Sequence, residues 1–451
     1  MSRSDKERMS NGERPHGRAA ERDSLALVLG LIRSGQAETR QSIERASGLG
    51  RAVVADRVAT LVRHDLVVEA GLAASTGGRA PRHLQFNSAA GYVLAASLGS
   101  TTLGVGLTDL SGSLLIEHHE PADAARGAER TIRRVIELFE WMLSEYPAPG
   151  DAWAISLALP GLVEAPSGRT DEGVVLDLIP GWSEFPVHAR LHDRFDAPVL
   201  IGNEVHLMAL GELRAGHGVG RDDLIFVKVG TGIGAGLCSE GRIHRGASGF
   251  AGDIGHVAVD QDSDTICRCG NRGCLEALAA GAAIAREGQA AAADGRSPYL
   301  AQLQESGTGI SAAHVGSAAD RGDPFSAELL ARAGRLVGET LATLVAGYNP
   351  SIVIVGGGVA QSGSILIAAI RDGIYRRSRS LTTDNLPLVA SELGKTAGLI
   401  GGASAALDDI FSRARLATWI QQGSPRRTPR PAPADSATTT VVASTGASVA
   451  R

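Results

Sequence analysis

Residues 252–280 read GDIGHVAVDQDSDTICRCGNRGCLEALAA and place His256, Cys267, Cys269 and Cys274 within 19 residues. One imidazole and three thiolates suit a tetrahedral ion with no open position, which predicts a structural zinc site. Three cysteines in eight residues are hard to account for as buried free thiols beside a surface histidine. Gly270 and Gly273 let the loop turn tightly around such an ion. The remaining cysteine, Cys238, lies in the apolar run GAGLCSEG and reads as an inert core residue.

Outward from this loop, strands alternate with glycine turns and helices. Upstream stands LIFVKVGTGIGAGLC, opening a unit at about Asp222, and downstream the strand-turn SIVIVGGGVA. An earlier unit begins after Asn87 with YVLAASLGSTTLGVGLTDLSGSLLIEHH, continues with a helix from about Arg130 to Tyr146, and reaches the strand WAISLALPGLV. The 57 glycines against 4% aromatics fit tight strand-to-helix turns. The expectation is an α/β, two-lobed, actin-like ATPase fold with a cleft between lobes at residues 89–221 and 222–421.

Ahead of these lobes the period is helical. Leu25, Val28, Leu29 and Ile32 mark one helix, and Thr39 can cap a second carrying Ile43 and Ala46. After the turn Gly48-Leu49-Gly50, Arg51–His64 reads as a third, with Val54, Val58, Leu61 and Val62 on one face. Two short strands follow, at 66–68 and 83–86. Residues 22–88 are therefore expected to form a winged helix-turn-helix, with the third helix entering the major groove of DNA. Its outward face offers Ala52, Ala55, Asp56, Ala59 and Thr60, flanked by Arg51 and Arg57. The loop STGGRAP sets Gly78 beside Arg79, so the backbone can approach DNA while the guanidinium enters a narrow minor groove. The competing reading makes this segment a helical dimerisation unit.

Residues 1–21 and 422–451 lack hydrophobic period and are expected to be disordered. Net charge is −5, but residues 1–90 carry 14 Lys+Arg against 10 Asp+Glu, and residues 422–451 four Arg against one Asp. An acidic body with a basic head fits localised phosphate contact. No apolar run approaches the roughly 20 residues of a membrane helix, and the polar N-terminus predicts a cytoplasmic protein.

Taken in order, the helical head, GTGIGAGL, GASGFAGDIGH, CRCGNRGCLE and IVGGGVA resemble the ROK family (repressor, open reading frame, kinase) across about residues 24–410. The resemblance implies that Asp253 and His256 of an ExGH-like string, Glu276 after the last cysteine, and the pair Asn203 and Glu204 hold sugar hydroxyls. It also implies phosphate loops at Gly99 and Thr101, at Gly230, Thr231, Gly232 and Gly234, and at Gly357. Family kinases place an aspartate base where Glu204 stands and an aspartate of a DxGGT string where Ser97 stands. A longer carboxylate misplaces the base, and roughly 1 Å of misplacement costs about a hundredfold in rate. Ser97 removes a charge on the metal side.

Asp253 is one carbon shorter than the family's usual glutamate, and Gly50, Val53 and Ala55 stand where family repressors commonly carry Ser or Thr. The sugar and the operator are therefore not transferable from relatives. The resemblance implies a sugar-responsive repressor of carbohydrate-metabolism genes with degenerate kinase chemistry. Its partners would be operator DNA, a sugar or sugar-phosphate effector, and further copies of itself as a dimer or tetramer. Zinc is the expected cofactor, with ATP secondary to it. The rival expectations are an active ATP-dependent sugar kinase with an added DNA-binding domain, and a zinc-stabilised DNA-binding protein without a small ligand.

Overall fold

The computed structural model describes residues 15–72, 82–122, 124–147, 150–161, 163–164, 174–175, 182, 185–361, 363–423 and 425, and of these the side chains from residue 23 onward except at 72, 125, 163–164, 174–175 and 380–381. The head consists of α1 (Pro15–Arg33), α2 (Arg40–Ser47), α3 (Arg51–Arg63) and an antiparallel pair, β1 (Val67–Leu72) and β2 (Arg82–Phe86). Thr39 caps α2: its Oγ1 accepts the Ser42 N–H at 3.1 Å, and Ser42 Oγ accepts the Thr39 N–H at 2.9 Å. Gly48, at φ +68°, ends that helix and turns the chain toward α3. Leu29, Ile43, Val54, Val58, Leu61, Val67 and Leu84 are buried and join all five elements in one core.

Helix α1 starts at Pro15, so residues 15–21 are helical, not part of a disordered terminus. They lack an apolar period, but proline presets the first helical turn, and Arg18, Ala19, Ala20 and Glu21 are good helix formers.

The first lobe comprises β3 (Gly91–Leu98), β4 (Thr102–Asp109), β5 (Leu114–Pro121), α4 (Ala128–Glu145), β6 (Asp151–Leu159), the short pair β7 (Val163–Glu164) and β8 (Val174–Val175), α5 (Val187–Phe195), β9 (Val199–Asn203) and α6 (Glu204–Ala215). The second comprises β10 (Leu224–Val229), β11 (Ile233–Ser239), β12 (Arg242–His244), α7 (Leu275–Ala279), α8 (Gly281–Ala293), α9 (Pro298–Glu305), α10 (Ala312–Asp320), α11 (Pro324–Tyr348), β13 (Val353–Gly356), α12 (Ser364–Arg377), α13 (Ser380–Thr383) and β14 (Leu388–Ala390). The chain ends its described course in α14 (Ala397–Ile410) and α15 (Arg413–Gln422).

The two five-stranded sheets run in the same order, β5-β4-β3-β6-β9 and β12-β11-β10-β13-β14. In each, three antiparallel strands are extended by two parallel ones. Helices α4 and α5 cover one face of the first sheet through Ile132, Val135, Phe139 and Leu191. Helices α7, α8 and α10–α12 cover the second through Leu275, Ile284, Val315, Leu341 and Ile370. Cys238 is buried beneath α6, and burial pushes its thiol up to about 12, as expected of an inert core residue.

Between the sheets lie α6 and α14 in backbone contact, because a Cβ on Gly401 would collide with the Leu207 carbonyl oxygen. Helix α14 thus returns to the first lobe, where Leu399 and Ala403 share a core with Val93 and Ala154. Helix α15 packs on α1, with Trp419 edge-on to Trp153 at 5.5 Å and to His64 at 6.5 Å. Residues 397–422 therefore belong with the first lobe and the head, not with the second lobe as the linear division 222–421 had it. Hydrophobic period reports that a helix has a buried face but not which sheet receives it. Among the described residues no helix is long and apolar enough to cross a membrane.

Candidate functional site

His256, Cys267, Cys269 and Cys274 converge, with all four ligand atoms within 4.8 Å of one another. Cys269 Sγ lies 3.8 Å from Cys274 Sγ, and Cys267 Sγ lies 3.5 Å from His256 Nδ1. Metal–sulfur bonds of about 2.3 Å and metal–nitrogen bonds of about 2.0 Å at tetrahedral angles give edges of about 3.8 Å and 3.5 Å. The donors therefore fit a tetrahedral ion. The loop is held by Cys267 N–H donating to Asn271 O at 2.7 Å and Gly270 N–H to Cys267 O at 2.9 Å. Gly270 and Gly273 take φ of +90° and +65°, and a Cβ on Gly273 would strike the Asp260 carbonyl.

With Nδ1 toward the thiols, His256 presents Nε2 on the other side, 3.9 Å from Asp253 Oδ1. That side lines a cavity of about 370 Å³ between the lobes. All five residues expected to hold hydroxyls, Asn203, Glu204, Asp253, His256 and Glu276, line it. Their roles within it differ. Asn203 caps α6, its Oδ1 accepting from Val205 N–H at 2.9 Å and His206 N–H at 3.0 Å while Nδ2 donates to Gly161 O at 2.6 Å. It therefore fixes the position of Glu204 and has little hydrogen-bonding capacity left over.

Glu276 accepts the Ile233 N–H at 3.0 Å, and Arg268 Nε reaches its other oxygen at 2.7 Å. Arg268 stands between two of the thiol ligands, so one guanidinium ties the metal loop to the cavity wall. Burial, with repulsion from Glu276 adding to it, raises the Asp253 carboxyl above its ordinary range.

Glu204, 7% exposed at the start of α6, forms an ion pair with Lys228. This pair was not anticipated, although its signal was present: Lys228 is the single charge in the otherwise apolar strand LIFVKV. His206 was also missed. It is 6% exposed, its Nε2 lies 2.7 Å from Ala251 O, and burial lowers its pKa.

A second cavity, of about 460 Å³, adjoins the first and shares Ser100, Glu204, Lys228 and Thr231 with it. Gly99, Thr101, Gly230, Thr231 and Gly357 line this second cavity, together with Ser97 and Lys395. Gly232 and Gly234 do not, and line the first cavity instead. A Cβ on Gly232 would collide with Glu276, and one on Gly234 would stand 3.3 Å from Val205. Close packing against the first cavity's wall is thus one physical demand for glycine at these two positions.

In the head, Arg51 opens α3 and is exposed, as are Ala52, Ala55, Asp56 and Ala59. Arg57 departs from expectation: its Nε donates to Ser24 Oγ at 2.9 Å and its side chain is 15% exposed, so it bridges α3 to α1 instead of facing outward. A long side chain can fold back across a helix whose wheel position points away. Gly78 and Arg79 lie outside the described residues.

The family model described as ROK family matches residues 93–409. The xylose repressor of Caldicellulosiruptor bescii is 29% identical over 388 residues, spanning 86% of this chain and 96% of the relative. Among solved structures, a ROK family transcriptional regulator described as a homologue of the E. coli MLC protein superposes with a TM-score of 0.76 at 26% identity, over 89% of this chain and 100% of the other. A ROK family glucokinase from Streptomyces griseus, in complex with glucose and AMPPNP, gives 0.59 at 28% identity over 70% of this chain and 98% of the kinase.

Proposed function

The chain belongs to the ROK family, and on that premise we propose that it is a sugar-responsive, DNA-binding transcriptional repressor of carbohydrate-metabolism genes whose phosphoryl-transfer chemistry has been lost. The glucokinase match takes in 98% of that kinase but only 70% of this chain, whereas the regulator matches take in 86% and 89% of it. That difference supports reading α1–α3 with β1 and β2 as a winged helix-turn-helix. In this reading residues 22–88 meet operator DNA, Arg51 contacts phosphate beside the exposed face of α3, and the sequence STGGRAP, with Gly78 and Arg79, would supply the wing.

The observation that carries the loss of kinase activity is the ion pair between Glu204 and Lys228. A general base must be in reach of the proton it takes and free to accept it. Here the carboxylate at the base position is already bonded to an ammonium, and Ser97 offers no carboxylate for a metal. The same carboxylates still suit hydroxyl binding, since Glu204, Asp253 and Glu276 accept while His256 Nε2–H donates.

Zinc is the ion we assign to the Cys3His site, where it would hold the histidine in register for the sugar. A sugar that favours one arrangement of the lobes shifts the population toward it, and α14 and α15 carry that arrangement to α1. Twofold assembly would match two operator half-sites.

The test is an ATP-turnover assay over hexoses, pentoses and amino sugars, paired with binding of the purified chain to promoter fragments with and without each sugar. Operator binding that changes with one sugar, without turnover, is expected. Sugar-dependent phosphorylation at ordinary enzymatic rates of about 1–1000 per second would replace this reading with that of a kinase.

A further inference from the structure

Helix α3 buries Val54, Val58 and Leu61 in the core of the head and leaves Ala52, Val53, Ala55 and Ala59 exposed. Val53 keeps 38% of its surface in water although its neighbour Val54 is fully buried. An apolar side chain left outside in this way gains on contact with another apolar group. Asp56, the charged residue in the middle of the exposed face, is held by Arg57 at 2.6 Å. Cations stand at the two ends instead. Arg51 and Arg63 are exposed, and neither has an ion pair among the described residues, whereas Arg40, Arg57 and Arg82 are all paired. About 18 Å of helix axis separates the two, enough to reach the phosphate rows on both sides of a major groove roughly 12 Å wide. The face is apolar in its middle and cationic at its ends, which complements base edges flanked by phosphates.

In the major groove a base pair presents donors, acceptors and one kind of apolar group, the 5-methyl of thymine. Alanine and valine can neither donate nor accept. Set over a guanine or cytosine edge, they would strip its polar groups of water and return no hydrogen bond, which weakens binding. Set over a thymine, they bury its methyl group. We infer that α3 reads its operator through thymine 5-methyl groups, in contact with Ala52, Val53 and Ala55. The inference rests on the DNA-binding reading of the head and names the part of the base pair that the same helix reads.

Selection from a random-sequence duplex pool by the full-length chain supplies the probe, and the selected duplex is then resynthesised with deoxyuridine in place of one thymidine at a time. Uracil pairs as thymine does and keeps its O4 acceptor, so only the methyl is removed. At two or more positions of each half-site the affinity is expected to fall about threefold to fivefold, the equivalent of one buried methyl group. Val53→Ala should weaken binding to the all-thymine duplex and bring the penalty at one of these positions close to onefold. Ala52→Ser, which sets a hydroxyl against the methyl, should do the same at a second position and serves if the first variant does not fold.

Uracil tolerated at every position would overturn the inference and leave the DNA-binding reading standing. A penalty of equal size in the parent chain and in both variants would overturn it too, since the methyl would then act through the shape of the duplex and not through contact. Absence of any duplex preferred over the random pool would remove both the inference and the reading beneath it.

Discussion

The guanidinium of Arg33 lies 4.4 Å from the ring centre of Phe411. Arg33 ends α1 in the head, and Phe411 ends α14, which starts beside the second cavity at Gly394 and Lys395. Phe86 of β2 completes the stack, 5.8 Å from Phe411 and 5.5 Å from Arg33. Burial lowers the Arg33 pKa, while Asp408 opposes that effect. One helix therefore connects the cleft between the lobes to a desolvated cation and aromatic joint at the end of α1. A contiguous path of this kind is a physical basis for coupling, because packed joints switch between discrete arrangements.

Trp419 is the keystone on the α15 side of that joint, 2% exposed and donating its indole N–H to Ile410 O at 3.1 Å. Trp419→Ala should cost about 3–5 kcal/mol of stability, the range for emptying a large buried aromatic site. Urea unfolding of the two proteins measures it, and a loss under about 1 kcal/mol would mean that the head is not packed on α15.

Removal of the metal should act on the cavity as well as on the loop. Cys269→Ser should lower bound zinc from one ion per chain, weaken sugar binding through His256 and Arg268, and reduce thermal stability. Cys238→Ser, at a thiol remote from the cluster, should leave the zinc content at one per chain. Elemental analysis of both variants separates them, and equal zinc in all three proteins would refute the Cys3His assignment.

Acid should destabilise the fold through His206. Its folded pKa is lowered by burial, so as pH falls through the unfolded value of about 6.5 the unfolded chain takes up a proton that the folded chain refuses. Stability is thus complete above that pH and is lost below it, at up to about 1.4 kcal/mol per pH unit until the folded pKa is reached. His64, also lowered by burial, contributes with the same sign. Denaturant titrations at pH 7.5 and 5.5 should show a smaller loss in His206→Gln than in the parent chain, and an equal loss would exclude this histidine.

Much of this arrangement was legible beforehand, for reasons that also explain what was not. The strands around Gly99 and Gly230 and the Cys3His loop announce themselves locally, by apolar runs against glycine and by donor type and spacing. The start of α1 carried helix propensity without period, so a periodicity criterion passed over it. Helix α14 declared an apolar face, but its return to the first lobe depends on Gly401 meeting Leu207, nearly two hundred residues apart. Lys228 was visible as a lone charge in a buried strand, yet its partner could be found only once β10 and α6 had been brought together.

Arg51 and Arg57 now divide in a way that one pair of measurements can check. Arg51 is exposed at the start of α3, and on the proposed reading Arg51→Ala should weaken operator binding about uniformly across sequences and lower the salt slope by about one. Arg57 bonds Ser24 and Asp56, so Arg57→Ala should leave that slope unchanged and destabilise the head by about 1 kcal/mol through the lost α3–α1 bridge. The comparison must be made at several salt concentrations, since a destabilised head also lowers apparent affinity at any single one. Only loss of a phosphate contact changes the slope, because only that contact releases counterions. A reduced slope in Arg57→Ala would mean that its guanidinium leaves Ser24 when DNA binds, and would return it to the DNA-facing set.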